Sequence, residues 1–254
     1  MEYGGQMSFR DEDSRTRELP FHEKMDILIN EYDTRGWWPH ENTFEIMIGA
    51  ILVQRTRWEN VEKALERLRG ITRMDPESLL ERDVEEVENA FIPSGFYRSK
   101  TKCVLGLANM LKNDFGAEEK NLFGLGTAES RKMLLSINGI GQETADTILL
   151  YAGNRPVFIT DHYKLRLYKR VTGLKTPPER AGLQKSFIGP AKITSERSKE
   201  VHSATVTRRS SDLGISEHGI PEVPVCQCFK SQRILCASTA NRTKPLYCQQ
   251  YLYS

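Results

Sequence analysis

Three groups of residues in this 254-residue chain are of a type and spacing to do chemistry: a glycine pair, an isolated acid downstream of it, and a set of tryptophans. Asn138-Gly139-Ile140-Gly141 separates two apolar-periodic stretches. Met133, Leu134, Leu135 and Ile137 precede it at helical spacing; Ala145, Ile148, Leu149 and Ala152 follow it, until Gly153-Asn154 stops the pattern. Two glycines in such a turn can take positive φ and point successive backbone N–H groups outward, beside the positive end of the next helix dipole. The turn is an anion seat. Asp161 closes the apolar run Val157-Phe158-Ile159 and precedes His162-Tyr163-Lys164-Leu165, a place where an acid caps a helix. Trp37-Trp38-Pro39 is a turn whose adjacent indoles cannot both enter one core from a regular element, so at least one lines a groove or lies at the surface.

The elements that would hold these residues are helices. Residues 1–18 are polar and charged, with too little apolar surface to fold alone, and are expected to be a frayed start. From Pro20, Phe21, Met25, Ile27, Leu28 and Tyr32 fall close to one face; 33–36 end that helix. Residues 44–53 are apolar nearly all round, the mark of a helix buried on most sides. Amphipathic helices are expected over 60–68 and 75–91, then one through Val104, Leu107, Ala108 and Leu111 that contains Cys103. Residues 114–128 read as a connection. Helix follows helix with neither βαβ alternation nor internal repeat, which makes the fold class all-α.

Composition sets wider bounds. A formal charge of +2 and a pI near 8.2 are compatible with nucleic acid without arguing for it, because the field that matters is local. No membrane span and no secretory signal are expected, and Cys103, Cys226, Cys228, Cys236 and Cys248 are an odd set for a disulfide framework. The expectation is a monomer with reduced thiols in the cytoplasm.

The segment 137–161 resembles the helix-hairpin-helix (HhH-GPD) DNA glycosylases of the endonuclease III superfamily, whose hairpin has the form L-P-G-V-G-x-x-T-A followed by a buried strand-like run and an aspartate. Here Ile137 to Gly141 with Thr144-Ala145 match the hairpin, and residues 157–161 the run and the acid. The resemblance implies two helical subdomains flanking a DNA-binding cleft, over residues 19–190. It also implies a partner, double-stranded DNA containing a damaged base, which is rotated out of the helix for excision. Carried over residue by residue, Asp161 is the catalytic carboxylate near C1′. Gln54 is the glutamine that enters the duplex, and Asn138, Gly139, Ile140, Gly141 and Thr144 are the DNA-binding hairpin. Trp37, Trp38, Pro39 and Trp58 match the pocket of the 3-methyladenine branch with its W-W-P signature. Arg98, Lys100 and Lys102, at a turn similar to the family's G-x-Y-x-x-K-A, are candidate phosphate contacts.

Glu143 departs from the strand-cleaving members, which have a lysine in G-V-G-R-K-T-A that forms a Schiff base. The implied activity is monofunctional hydrolysis of the N-glycosidic bond of alkylated purines, with Glu143 in the base pocket. An endonuclease III-like enzyme for oxidised pyrimidines and a non-catalytic hairpin module are the alternatives. No metal or cofactor is expected. Many family members bind a [4Fe–4S] cluster through C-x6-C-x2-C-x5-C, which the spacing Cys226-x-Cys228-x7-Cys236-x11-Cys248 does not fit. Residues 191–254 lose hydrophobic periodicity and read as an irregular tail foreign to the family. Ser210-Ser211-Asp212-Leu213 is also what a common sequencing adapter encodes, so a departure of the reading frame is expected near residue 190.

Overall fold

The protein is described by a computed structural model over residues 19–31, 38 and 42–212, with side chains to residue 206. Trp37, Pro39, the 1–18 segment and Cys226, Cys228, Cys236 and Cys248 lie outside the described residues. Among the described residues the regular structure is helical throughout, with no strand. The helices are α1 (Phe21–Glu31), α2 (Thr43–Leu52), α3 (Trp58–Arg69), α4 (Pro76–Leu80), α5 (Val84–Phe91), α6 (Tyr97–Phe115), α7 (Glu119–Gly124), α8 (Thr127–Leu135), α9 (Gln142–Tyr151), α10 (His162–Thr172), α11 (Arg180–Ile188) and α12 (Ser195–Asp212).

Local chemistry accounts for these boundaries. The Asn42 side chain accepts the Glu45 N–H at 2.9 Å and starts α2, which is then buried along its whole length. The one acid in it, Glu45, is 5 % exposed and is held by the Arg69 guanidinium, whose Nε donates at 3.0 Å. In α3 the buried residues Val61, Ala64, Leu65 and Leu68 follow a helical stripe. The helix expected over 75–91 is two helices. Asp75 caps the first, accepting the Ser78 N–H at 2.7 Å, and the Glu86 carboxylate reaches back to the Asp83 N–H at 3.2 Å to start the second. The connection expected over 114–128 contains α7, whose Leu122 and Phe123 are buried.

Two apolar cores result. Helices α2 to α9 share the larger one; α1, α10, α11 and α12 share the smaller. The chain crosses between them in the extended run before α10, and its two-residue alternation divides the side chains. Val157 and Ile159 enter the larger core and Phe158 the smaller. A buried ion cluster pins the crossing. Asp146 of α9 accepts from Arg131 Nη2 at 2.7 Å and from Arg180 Nη2 at 2.5 Å, and that same Arg180 nitrogen donates to the Phe158 carbonyl at 2.8 Å. Residues from α8, α9, α11 and the crossing meet in it.

The tail expected to be irregular from residue 191 begins instead with α12, whose Val201 and Ala204 are buried in the smaller core against α1, α10 and α11. The packed helical chain therefore runs past residue 190, at least to the buried Ala204. The Ser/Thr/Arg-rich composition concealed this helix. Its serines and threonines bond back to carbonyls one turn earlier, Ser203 to Lys199 at 2.7 Å and Thr205 to Val201 at 2.5 Å.

Candidate active site and nucleic-acid interface

The hairpin is anchored from beneath. Ile137 and Ile140 are buried while Asn138 and Gly139 are exposed, and the Ile140 N–H closes the turn on the Ile137 carbonyl at 3.1 Å. Of the two glycines only Gly139 has the positive φ expected of both, at 100°. A Cβ there would lie 3.1 Å from Cys103 Sγ of α6, so the position is closed to other residues by conformation and by space. Gly141 is the N-cap of α9 with extended backbone, φ −90° and ψ 179°, and a Cβ on it would meet nothing within 4 Å. The protein itself gives no reason for glycine there; the close approach of something outside it would. No side chain caps α9, so the first N–H groups of that helix face outward. A groove of about 500 Å³ runs beside the hairpin, lined by Lys102, Ser136, Asn138 and Gly139 with neighbouring parts of α6. It holds none of the ionisable residues of the crossing and is a place for a backbone rather than for chemistry.

Gln54 is tied to this hairpin. Its Nε2 donates to the Gly139 carbonyl at 3.1 Å and to Thr144 Oγ1 at 2.9 Å, fixing the loop after α2 to the turn before α9. Lys100 is not a phosphate contact. It is 4 % exposed, its pKa is lowered by burial to about 8, and its Nζ donates to the carbonyls of Leu52 at 2.8 Å and Ser94 at 2.7 Å. It thus caps α2 and draws the Gln54 loop towards the turn at Gly95. That turn exposes Phe96, 65 % accessible and held at a left-handed φ of 48°. A strained aromatic presented to solvent suits stacking rather than core packing. Sequence reading passed over it; the signal was an aromatic directly after a turn glycine.

Asp161 sits where the chain enters the smaller core, at the N-cap of α10, 2 % exposed. Its Oδ1 accepts the Lys164 backbone N–H at 2.8 Å, and Lys164 Nζ lies 2.5 Å from Oδ2. Lys164, 1 % exposed, was not foreseen, although an N-cap and the third residue of a helix face each other. Behind the pair stands a second one. The Tyr151 hydroxyl, at the end of α9, is 2.8 Å from His202 Nδ1 of α12, and His202 Nε2 is 3.8 Å from Asp161 Oδ2.

The charges follow from these contacts. Burial pushes the Asp161 carboxyl up, but the Lys164 charge, His202 and the hydrogen bonds from Lys164 reverse this and hold it below the usual carboxylate range. Burial lowers the Lys164 pKa against the pull of Asp161. His202 is pushed down to about 3 by burial and then by the Lys164 charge, with Asp161 opposing, so the ring is neutral at pH 7. Burial and then Asp161 raise the Tyr151 phenol, which keeps its proton. The Glu143 residue is exposed overall, yet protein crowding around its carboxyl and then the Asp161 charge raise its pKa, with Lys164 opposing.

Aromatic rings lead from this cluster to the tryptophans. Trp38 lies edge-on to Trp58 with centroids 5.1 Å apart, and 5.0 Å from Tyr151, whose ring is 5.6 Å from that of His202. Gly49, in the buried helix α2, makes room for them, since a Cβ there would come within 3.2 Å of the Trp38 ring. Trp38, Trp58 and Asp161 thus belong to one connected site, with Glu143 coupled to it electrostatically. Gln54, Asn138, Gly139 and Gly141 form the adjoining hairpin surface, whereas Ile140 and Thr144, expected to share it, are buried beneath it. For a cluster or metal the described residues offer no suitable group of His, Cys, Asp or Glu side chains. Cys103 is buried, with its thiol pKa raised to about 11 by burial, and packs under the hairpin. No helix among the described residues is long and apolar enough to cross a membrane.

Comparison with known proteins gives a consistent result. Residues 48–188 match the HhH-GPD superfamily base excision DNA repair protein family. The chain is 38% identical over 146 residues to a putative DNA repair glycosylase, MJ1434, of Methanocaldococcus jannaschii, covering 57% of this chain and 66% of that protein. It is 29% identical over 139 residues to an endonuclease III of Thermotoga maritima, covering 54% and 61%. The chain thus spans less than two thirds of the length of these relatives. Among solved structures, the 3-methyladenine DNA glycosylase MagIII of H. pylori, bound to 1,N6-ethenoadenine, superposes with a TM-score of 0.64 at 26% identity, over 78% of this chain and 100% of that one. An endonuclease III trapped as a covalent intermediate with DNA shares the fold with a TM-score of 0.62 at 20% identity, over 81% and 90%.

Proposed function

This chain belongs to the HhH-GPD superfamily of base excision DNA repair proteins, and we propose that within it the protein is a monofunctional DNA glycosylase acting on alkylated purines of the 3-methyladenine kind in duplex DNA. The observation that carries this reading is the continuity of the site: a carboxylate held ionised, Asp161, joined through His202 and Tyr151 to the Trp38–Trp58 pair. The MagIII likeness, at 26% identity over the whole of that chain, agrees with it.

The chemistry follows from charge. An alkylated purine carries positive charge on its ring, which an indole face attracts by roughly 0.5–2 kcal/mol more than a neutral ring. With His202 neutral, the Asp161 carboxylate stands at the site with Lys164 paired to it and Glu143 nearby. The glycosidic C1′–N bond breaks with its electron pair going to the cationic base, which leaves neutral. Positive charge grows on the sugar, where the Asp161 carboxylate stabilises it. Water adds its oxygen to C1′ and releases its proton, and an abasic sugar remains. Gln54 would fill the space that the extruded nucleotide vacates, on a duplex gripped at the hairpin.

Lys164 favours a second reading. The hairpin offers no amine, because Glu143 stands where strand-cleaving relatives have lysine, but the structure brings the Lys164 amine 2.5 Å from Asp161. Were that amine to attack C1′ in place of water, expelling the base and forming an imine, strand cleavage would follow. Its burial and its ion pair with Asp161 place it behind the carboxylate, which favours hydrolysis. The test is release of free base from methylated duplex DNA, with strand nicks scored before and after alkali. Nicks that require alkali support hydrolysis. A protein–DNA adduct trapped by borohydride and lost in Lys164→Met establishes the lyase instead, and wild-type protein that releases no base is left with the role of a hairpin DNA-binding module.

A further inference from the structure

Residues from the two ends of the site, Tyr151 and His202, make an arrangement that neither the hairpin nor the carboxylate requires for folding. Tyr151 ends α9, the hairpin's own helix, while His202 lies on α12, beyond residue 188 where the family match stops. Both are buried, Tyr151 partly and His202 to 8 % exposure. An apolar pair would fill that space with no polar atoms to satisfy. Instead a phenol and an imidazole meet at 2.8 Å, with the far ring nitrogen directed at Asp161.

The proton positions can be deduced. The phenol is protonated and the imidazole neutral, so one of two tautomers holds. With the proton on Nδ1, the Nε2 lone pair would face the Asp161 carboxylate, two like charge densities in a buried site. With the proton on Nε2, the Tyr151 O–H donates to Nδ1 and the Nε2–H points at Oδ2. The second sets a donor rather than a lone pair against the carboxylate. At 3.8 Å the last link is longer than a hydrogen bond, as such links are in a free enzyme before substrate tightens them.

We propose that Tyr151 and His202 form a neutral positioning relay for Asp161. It places an uncharged N–H 3.8 Å from Oδ2, the oxygen already paired with Lys164 Nζ, so the carboxylate is steered without being further neutralised as the sugar becomes positive. The Tyr151 ring also packs against Trp38, so a base seated on the aromatic wall is mechanically joined to the carboxylate. This rests on the glycosylase reading above for its rate consequence, but not for its geometry.

The test has two arms on the full chain. In single-turnover excision from methylated duplex DNA, His202→Leu lowers the rate about 10- to 100-fold, the worth of one hydrogen bond to a charged group. Affinity for a duplex carrying a tetrahydrofuran abasic analogue stays within about twofold. His202→Gln, which keeps an N–H donor, recovers most of the rate. Tyr151→Phe adds nothing to His202→Leu, because the two act as one unit. Equal losses in the Gln and Leu variants, or losses that multiply in the double variant, overturn the relay. The second arm is ¹⁵N NMR of the imidazole in wild-type protein near neutral pH. A proton on Nε2, with Nδ1 accepting a hydrogen bond that Tyr151→Phe removes, supports the relay; a proton on Nδ1 overturns it. If no damaged duplex is turned over while the NMR result holds, the glycosylase reading fails and the relay stands.

Discussion

The hairpin and the carboxylate lie side by side but are built in opposite ways. The hairpin is largely local: Ile137, Gly139, Ile140 and Gly141 fix its shape within a few residues, and from farther along the chain Gln54 bonds to it and Cys103 packs beneath it. The carboxylate is collective. Asp161 takes its charge state from Lys164 on its own helix and from His202, which arrives on the last described helix, and it is fixed in place by a crossing that Arg180 clamps. A nucleic-acid backbone repeats its charge and needs only outward N–H groups and room, which a short segment can offer. Bond cleavage needs a desolvated charge held in one direction, and only several elements closing around it supply that. Substitutions on the two sides should therefore fail differently.

The sharpest contrast is expected at Asp161. Asp161→Asn keeps a cap for α10 but removes the charge facing the sugar. Base release should fall by about 10³-fold or more, while duplex binding persists. Loss of binding in parallel with activity would mean that the carboxylate organises the hairpin too, and the division would collapse. The Asp146 cluster should show the opposite pattern. It touches neither side's ligand but joins them, and Asp146→Ala strands Arg131 and Arg180 without their buried partner. Both arginines reach solvent in part, so the loss is that of hydrogen bonds to a charged group, about 1.5–3 kcal/mol, to be read as a lower urea midpoint in equilibrium unfolding. A variant as stable as wild type would show that the crossing is held by the apolar cores alone.

How far each region was legible in sequence follows the same line. The hairpin, Asp161 and the all-helical class could be read because glycine placement, an N-cap acid and 3.6-residue periodicity are local signals. Lys164 is within local reach of the cap, three residues on, but its burial against Asp161 depends on the smaller core closing over both. Tyr151 and His202 had no local signal; a tyrosine ending one helix and a histidine in a Ser/Thr-rich stretch become partners only when α12 folds back on α9. Lys100 misled for the converse reason. A lysine in a turn with Arg98 and Lys102 reads as surface charge, and only its two carbonyl partners show it to be an internal cap.

The carboxylate side also predicts an acid-sensitive stability of known sign. Folding holds the His202 pKa near 3 against an ordinary 6.5. Between those values the unfolded chain takes up a proton that the folded chain refuses, so stability is complete above pH 6.5 and falls as pH drops through the window. From pH 6.5 to about pH 5 the loss is about 2 kcal/mol. Urea unfolding of wild type and His202→Gln across that range should show the variant flatter by this amount. Asp161, whose pKa is depressed, loses its contribution only at more acid pH, so the two are separable. Equal slopes would place a charged or hydrated His202 in the folded protein.

The smallest effects test the hairpin, where the two glycines differ. Gly139→Ala forces a side chain into left-handed backbone and against Cys103 Sγ, and should destabilise the fold by about 1 kcal/mol or more. Gly141→Ala meets ordinary φ and open space, so stability should stay within about 0.5 kcal/mol of wild type. Its cost should appear only when DNA approaches: weaker binding to undamaged and damaged duplex alike by about three- to tenfold, because a methyl group stands between the N–H groups of α9 and a phosphate. Fluorescence anisotropy with both duplexes reads this directly. If Gly141→Ala binds as wild type does, the backbone passes elsewhere, and the groove beside Lys102 and Asn138 becomes the surface to mutate next. If it weakens damaged duplex alone, Gly141 belongs with the carboxylate and not with the grip, and the boundary between the two regions moves to Ile140.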